Sequence, residues 1–394
     1  MVKEAVILAA GEGKRLRPFT EDVPKVMLPI CNKPILEYVI DAVKKSGIEK
    51  IIVVVGYKKE VIQDYFKDFE NINFVVQDKQ LGTAHALMQA QDFIEGCFIV
   101  LAGDNIVDSN SILKLLKEKS DFSLLIKEHV SPSKYGSIFL EKDVLKKIVE
   151  KPREATTGLI STGVYKFPKS VFERIEELTS QGVYDLTSVV QSFIKEGRKI
   201  KAVFAELWRD VVYPWDLLEV NATMLNSIHS STCGTIESNV TLKGPVCIGE
   251  DTVIRSGSYI IGPVVIGENC EIGPNVSIFP STSIGKNSVI HPFTEIRNSV
   301  IMEEVDIGSH SFVSNSIIGK GTRTDAGFSA ISGKATVEIE SEFIKLDDIG
   351  AMVGYDTIIG SHVVVTPGKI IGKKCRVGSL KNIVDDIASG SVVM

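Results

Sequence analysis

Two hydrophobic periods divide the chain. Up to about residue 230, short apolar runs at 5–8, 51–55, 74–76 and 98–101 alternate with segments whose apolar positions recur every three to four residues, at 35–45, 60–66 and 84–93. The first kind reads as buried strand and the second as helix. Strands alternating with helices imply a mainly parallel sheet covered on both faces, with ligands bound beyond the carboxyl ends of the strands. Residues 214–229, PWDLLEVNATMLNSIH, follow with a proline at the start and apolar residues at helical spacing, the signature of a linking helix.

From Ile236 the period becomes six. Ile236, Leu242, Ile248, Ile254, Ile260, Ile266, Ile272, Ile278, Ile284, Ile290 and Ile296 keep an unbroken register. Two residues before each, from Leu242 onward, stands a Val, Thr, Ser or Cys, and Ile248, Ile266, Ile272 and Ile284 are each followed by glycine. Short strands joined by tight turns, each burying one aliphatic toward a shared axis, make a parallel β-helix. The register slips near 302–318, is lost over 321–348 and resumes at Val353, Ile359, Val365, Ile371, Val377 and Ile383. The interruption predicts a loop, the kind of element on which function is commonly built.

Composition narrows the picture. The 394 residues suffice for two or three domains, and 44% hydrophobic content supports real cores. A net charge of −6 and a pI near 5.7 give no global attraction to nucleic acid; cations gather locally instead, at Lys14, Arg15, Arg17, Lys25 and Lys33. Six cysteines form no CxxC, which indicates neither a zinc site nor a disulfide framework and fits a reducing cytoplasm. The first apolar run is broken by Glu12, Lys14 and Arg15, so it reads as neither signal peptide nor membrane span.

The first strand empties into Leu8, Ala9, Ala10, Gly11, Glu12, Gly13, Lys14, Arg15, a small-residue turn followed by cations. Such a turn suits a phosphate, because backbone N–H groups can approach the anion while the cations neutralise it. Gly11 and Gly13 are two apart, which excludes the P-loop spacing, and Leu16 stands where a dinucleotide fingerprint needs its third glycine. The second strand ends in Gly56-Tyr57-Lys58 and offers no carboxylate for a ribose, which further disfavours a nicotinamide or flavin enzyme.

With both halves in view the chain resembles the sugar-1-phosphate nucleotidylyltransferases that carry a C-terminal left-handed β-helix of hexapeptide repeats. The resemblance rests on LAAGEGKRLRP (8–18), Pro24-Lys25 running on to Lys33-Pro34, QDKQLGTAHAL (77–87), Gly103-Asp104-Asn105, Glu150-Lys151-Pro152, Thr162-Gly163 and Pro214-Trp215-Asp216. It implies a Rossmann-like nucleotidyltransferase domain with a mixed sheet over 1–229 and a left-handed β-helix over 230–394. It also implies attack of a sugar-1-phosphate oxygen on the α-phosphorus of UTP or dTTP, with release of pyrophosphate. That chemistry brings two polyanions together, so it needs cations and a divalent metal, here expected to be Mg²⁺.

Carried over residue by residue, the resemblance gives the triphosphate to the backbone from Leu8 to Gly13 and to Arg15. Lys25, set between prolines in VPKVMLP, resembles a second phosphate cation. Asp104 and Asp210 resemble the metal carboxylates, with Asp216 near enough in sequence to be confused with the second. Asp104 also reads as a turn or helix-capping residue ahead of SNSILKLLKE. Gln77, Gln80, Gly82 and Thr83 resemble readers of a pyrimidine edge, while His85 receives no role. Tyr135, Gly136, Glu150, Thr162, Asp185 and Thr187 resemble sugar-hydroxyl positions, with Lys151 on the sugar phosphate.

Two other readings accompany this one. A bifunctional enzyme would also acetylate glucosamine-1-phosphate from acetyl-CoA in the β-helix; there IGSHSFV places Ser309 where relatives have the catalytic His, displaces His310 by one residue, puts Phe312 for a Tyr, and sets Ser332 about where an Asn would be. In a strand that displacement turns a side chain to the opposite face. A non-catalytic regulatory subunit is the third, and the joint presence of Arg15, Lys25, Asp104, Lys151 and Asp210 argues against it. Assembly into a homo-oligomer through the β-helix is expected, with no nucleic-acid or membrane partner.

Overall fold

The computed structural model describes residues 2–130, 132–153 and 157–394. Packing divides them into two compact units. The first comprises 1–12, 24–27 and 35–210, and the second comprises 13–23, 28–34 and 211–394.

The first unit is built on a nine-stranded mixed sheet. Its strands run, in spatial order, Ile72–Val76, Lys50–Val55, Glu4–Ala9, Phe98–Ala102, Leu159–Phe167, Ser123–Glu128, Lys201–Phe204, Val144–Glu150 and Gly136–Glu141. The first four are parallel, as their intervening helices require. Beyond Phe98–Ala102 most pairings are antiparallel, so the mainly parallel sheet read from the alternation holds for only half of it. The reason lies in the chain order: between 123 and 167 four strands follow one another with no α-helix among the described residues to carry a parallel crossover. Val6, Ile52, Val54, Phe98 and Val100 face a core shared with Ala84, Leu87, Val171, Phe172, Val189 and Val190. The alternate residues Ala5, Ile7, Ile51, Val53, Ile99 and Leu101 are fully buried as well, so both faces of the parallel half are covered.

In the second unit the six-residue period becomes three parallel sheets of eight, nine and eight strands, each coil adding one strand to every sheet. From Ile248 on the repeating aliphatics line the interior, and Ile254, Ile260, Ile272, Ile278, Ile290 and Ile296 are wholly inaccessible, whereas Ile236, in the first coil, is exposed. Ile266 pairs with Ile284, eighteen residues on, but Ile284 pairs with Ile301 and Ile301 with Ile318, seventeen on each time. The slip seen in the sequence is thus two coils each one residue shorter, with every sheet intact. The expected loop is narrower than the lost register suggested. Arg323–Thr324 and Ser329–Ala330 stay in their sheets, with Thr324 and Ala330 taking the inward places of Ile. Only 333–349 leaves the coil, and it does so as a β-hairpin, Gly333–Ile339 against Glu342–Ile349.

The linking helix is Asp216–Leu225, shorter than 214–229, because the chain beyond Leu225 tightens into turns. Asn221 is fully buried on it, accepts the backbone N–H of Cys31 at 2.8 Å and donates to the carbonyl of Ser281 at 3.1 Å. Segment 13–23 belongs to the same unit: Phe19 meets Tyr355 edge-on, and Asp22 pairs with Lys373 at 2.6 Å.

Candidate functional site

The parallel half of the sheet presents its carboxyl ends at Ala9, Val55, Val76 and Ala102. The backbone N–H of Gly103 donates to the Leu8 carbonyl at 2.8 Å, and a Cβ on Gly103 would stand 3.0 Å from that same oxygen. Glycine therefore lets the chain leaving Phe98–Ala102 pass close against the end of Glu4–Ala9 on its way to Asp104. A two-stranded ribbon then pairs Asn105–Val107 with Trp208–Asp210, with Asp210 opposite Asn105. Asn105 fixes this ribbon by donating to the Thr162 carbonyl at 2.8 Å, and the indole N–H of Trp208 reaches the same oxygen at 3.0 Å.

The ribbon brings the two carboxylates onto one cation. Lys25, on a short 3₁₀ turn, donates to Asp104 and, at 3.2 Å, to Asp210. Its side chain is only 13% exposed. Burial alone would push the ammonium down, but Asp104 and Asp210 beside it hold it above the ordinary lysine range. The carboxylate of Asp216, the residue confusable with Asp210, accepts the backbone N–H groups of Val212 and Tyr213, both at 2.8 Å. The helix Ser109–Lys117 is capped by Asp108, which leaves Asp104 free of the capping duty that its sequence position also allowed.

Two carboxylates a hydrogen bond away from one ammonium suit a hard divalent ion, which takes one or two carboxylates and completes its shell with water and phosphate oxygens. Among the described residues no cluster of three or more His, Cys, Asp or Glu offers an all-protein metal cage, and no cysteine forms a disulfide.

Comparison with known proteins matches residues 4–227 to the nucleotidyl transferase family and 260–345 to the GMPPB C-terminal domain. The chain belongs to the nucleotidyl transferase family. A "Bifunctional protein GlmU" of Methanococcus maripaludis is 39% identical over 99% of this chain and 97% of its own length. A "Bifunctional sugar-1-phosphate nucleotidylyltransferase/acetyltransferase" of Sulfurisphaera tokodaii is 32% identical, covering 95% of both chains. Among solved structures, a UDP-glucose pyrophosphorylase complexed with UDP-glucose matches 57% of this chain and 99% of its own, at TM-score 0.51 and 25% identity. Full-length relatives bearing such names make this nucleotidyl transferase an enzyme of the sugar-1-phosphate nucleotidylyltransferase class, whose family chemistry uses a divalent metal.

In the family's opening turn Ala9 and Ala10 are buried and Gly11 is exposed, with no atom within 4 Å of a Cβ built on it. Gly13 adopts φ +76° and opens the 3₁₀ turn Lys14–Leu16, and its carbonyl accepts the Thr20 hydroxyl at 2.8 Å. Gln77 is buried, and its amide nitrogen faces the Gly82 carbonyl at 3.2 Å and His85 Nδ1 at 2.9 Å. His85, to which the motif assigns no role, lies within QLGTAHAL, and the structure makes it a partner of Gln77. Gln80 is exposed, with its amide nitrogen 2.8 Å from where a Gly56 Cβ would lie.

The turn at Gly82 and Thr83 is bound to the start of a later helix. Ala84 donates to the Tyr184 carbonyl at 2.7 Å, and the Thr83 hydroxyl accepts the Leu186 N–H at 3.0 Å. Asp185 caps helix Leu186–Lys195 by accepting from Ser188 at 2.7 Å. Thr187 donates to Glu150 at 2.7 Å, and a Gly136 Cβ would sit 3.6 Å from the same carboxylate, so Gly136, Glu150, Asp185 and Thr187 converge. Lys151 stays 60% exposed, 3.9 Å from Glu150, with its N–H on the Tyr135 carbonyl. The Thr162 hydroxyl is spent on the Leu125 carbonyl at 2.8 Å; what this residue offers its neighbours is its own carbonyl.

In the β-helix, His310 lies in a turn between strands Asp306–Ile307 and Phe312–Ser314, at φ +58°, and its exposed ring stacks on Phe293. The expected strand-face inversion does not apply to it, because side chains alternate only where the chain is extended. Ser309 shares that turn. Ser332 holds Ser314 and Asn315, each at 3.2 Å.

Proposed function

We propose that this enzyme joins a pyrimidine nucleoside triphosphate, UTP or dTTP, to glucose-1-phosphate or N-acetylglucosamine-1-phosphate, giving a nucleotide sugar and pyrophosphate. The observation that carries the proposal is the Lys25 ammonium clasped by Asp104 and Asp210 at the carboxyl end of the parallel strands. Asp104 and Asp210 are the residues to hold Mg²⁺, which when bound would offset charge on the phosphates. Lys25, kept charged and oriented by the same carboxylates, stabilises the charge that moves toward the leaving pyrophosphate. Arg15 and the backbone from Leu8 to Gly13 bind the triphosphate. Gln77, whose N–H groups are engaged by Gly82 and His85, turns its carbonyl to a ring N–H of uracil or thymine, with Gln80 and Thr83 alongside. Glu150, Thr187 and Asp185 take sugar hydroxyls, with Tyr135, Gly136 and Thr162 forming their frame and Lys151 meeting the sugar phosphate.

Asp104→Asn and Lys25→Ala test the assignment. Each is expected to lower turnover by about 10² or more, since losing one preorganised electrostatic partner of a transition state typically costs roughly 3–4 kcal/mol. Near-normal turnover in both variants at saturating Mg²⁺ would overturn it.

The names of the bifunctional relatives favour a second reading, acetyl transfer from acetyl-CoA to glucosamine-1-phosphate in the β-helix, with His310 as the base. Thiol release that depends on glucosamine-1-phosphate and vanishes in His310→Ala would establish it; the substitutions at Ser309, Phe312 and Ser332 lead us to expect none. We further propose a cytoplasmic homo-oligomer, with residues 1–229 carrying nucleotidyl transfer and 230–394 the assembling β-helix.

A further inference from the structure

The one segment that leaves the β-helix coil is the hairpin 333–349, and its tip meets the residue assigned to the triphosphate. Glu340 accepts the Nε–H of Arg15 at 3.1 Å. Glu342, two residues on, accepts the Tyr213 hydroxyl at 2.7 Å, and the Arg15 guanidinium lies 5.9 Å above the ring of that same Tyr213. Burial, with Glu342 beside it, raises the Tyr213 hydroxyl to about 12, so the phenol remains a donor at neutral pH. The tip itself is costly to form. Glu340 and Ser341 make a two-residue turn with φ of +50° and +67°, a conformation that hairpins usually assign to Asn-Gly. The base is rigid: Val337 and Ile349 are 2% exposed, and Val337 and Ala335 pack so close to Gly368 that a Cβ there would stand 3.0 and 2.6 Å from them.

We infer that Glu340 is a positioning residue for nucleotidyl transfer, holding the Arg15 side chain ready for the triphosphate, with Glu342 and Tyr213 bracing the arrangement. The inference rests on the reading of Arg15 as a triphosphate cation. A guanidinium has five N–H donors in a fixed fork. Glu340 takes the one nearest the backbone, Nε–H, and the hydrogen bonds given to Arg15 among the described residues leave its outer edge, the two Nη groups, for a phosphate. An exposed ion pair of this kind adds little to stability by itself. What it supplies is order: an arginine already fixed in place loses less side-chain freedom when the nucleotide arrives.

Steady-state kinetics of the full chain separate the possibilities. Glu340→Gln is expected to raise the KM for the nucleoside triphosphate about 3–10-fold, the range that freezing one long side chain commands, while kcat moves less than twofold. Glu338→Gln, the same charge change on the same hairpin away from the tip, is expected to leave KM unaltered. In an Arg15→Ala background, which itself raises KM, Glu340→Gln should add nothing further. A lowered KM in Glu340→Gln would make the carboxylate a competitor of the substrate and overturn the inference. So would equal effects of the two hairpin substitutions, or additivity with Arg15→Ala. Should Arg15→Ala alone leave KM and kcat at wild-type values, the reading of Arg15 fails and the inference falls with it; a large Arg15→Ala effect with a silent Glu340→Gln removes the inference only. Thermal melts of each variant confirm that the hairpin stays folded.

Discussion

Single atoms decide several positions in this enzyme. Gly82 adopts φ +152°, and a Cβ built on it would stand 2.5 Å from the Tyr184 carbonyl, which itself accepts the Ala84 N–H. Alanine at 82 must push that backbone away, and with it the Leu186 N–H held by Thr83. Gly82→Ala is therefore expected to cost more than about 1 kcal/mol in stability and to impair pyrimidine use as well, through the Gly82 carbonyl that orients Gln77. Thermal unfolding and kcat/KM for UTP check both halves; an unchanged melting point and unchanged kcat/KM would contradict them. Part of this scale was legible: the motifs singled out Lys25 and Asp104 and left Asp210 confusable with Asp216, and the ribbon 105–107 with 208–210 brings Asp104 and Asp210 to the Lys25 nitrogen. The roles of His85 and Thr162 were not, since whether a hydroxyl or imidazole is spent internally depends on partners distant in the chain.

At the scale of elements, Asp108 connects the helix Ser109–Lys117 to the approach of the site. It accepts the Ser111 N–H at 3.0 Å as a helix cap and the Leu207 N–H at 2.9 Å, just before the strand that ends in Asp210. Burial would raise this carboxyl, but the hydrogen bonds from Ser111 and Leu207 outweigh it and hold the group below the usual carboxylate range. A depressed folded pKa means the ionised form stabilises the fold above the unfolded value of about 4, and that this contribution disappears as pH falls through the folded value. Asp108→Ala should lose about 1–2 kcal/mol at pH 7. The difference in melting temperature between wild type and Asp108→Asn should shrink as pH is lowered from 5 toward 2. A difference independent of pH would show that the charge plays no part. The sequence offered Asp104 as a cap for this helix, and the structure gives that place to Asp108. The six-residue period was far more informative: one inward aliphatic per strand is a condition that each coil must satisfy. It slipped where two coils are one residue shorter, and it was lost where Thr324 and Ala330 satisfy the same condition with smaller side chains; there the pattern could not tell a coil from the hairpin that follows.

For the molecule as a whole, the second unit takes in chain segments that precede the β-helix. Residues 13–23, which include Arg15, pack in the second unit, where Phe19 meets Tyr355, Asp22 meets Lys373 and Arg15 meets Glu340. Asn32 likewise donates to the Ile284 carbonyl at 2.6 Å. A chain ending at residue 229 should keep a cooperative unfolding transition, because the core around Val6, Ile52 and Phe98 draws on no described residue beyond Ala202. It should lose the proposed oligomer and bind nucleotide several-fold more weakly, having lost the partners of segment 13–23. Light scattering with unchanged stoichiometry, or an unchanged KM, would contradict the respective half.

The central claim is that Lys25, Asp104 and Asp210 serve pyrimidine nucleotidyl transfer to a sugar-1-phosphate. The most direct measurement is pyrophosphate release by the full-length enzyme with Mg²⁺, over UTP, dTTP, CTP, ATP and GTP crossed with glucose-1-phosphate, N-acetylglucosamine-1-phosphate and other sugar-1-phosphates. The prediction is sustained release with UTP or dTTP and at least one of those two named sugars, lost in Asp104→Asn, with purine triphosphates poor throughout. Comparable kcat/KM for ATP and UTP, or no release with any pyrimidine triphosphate, would contradict it.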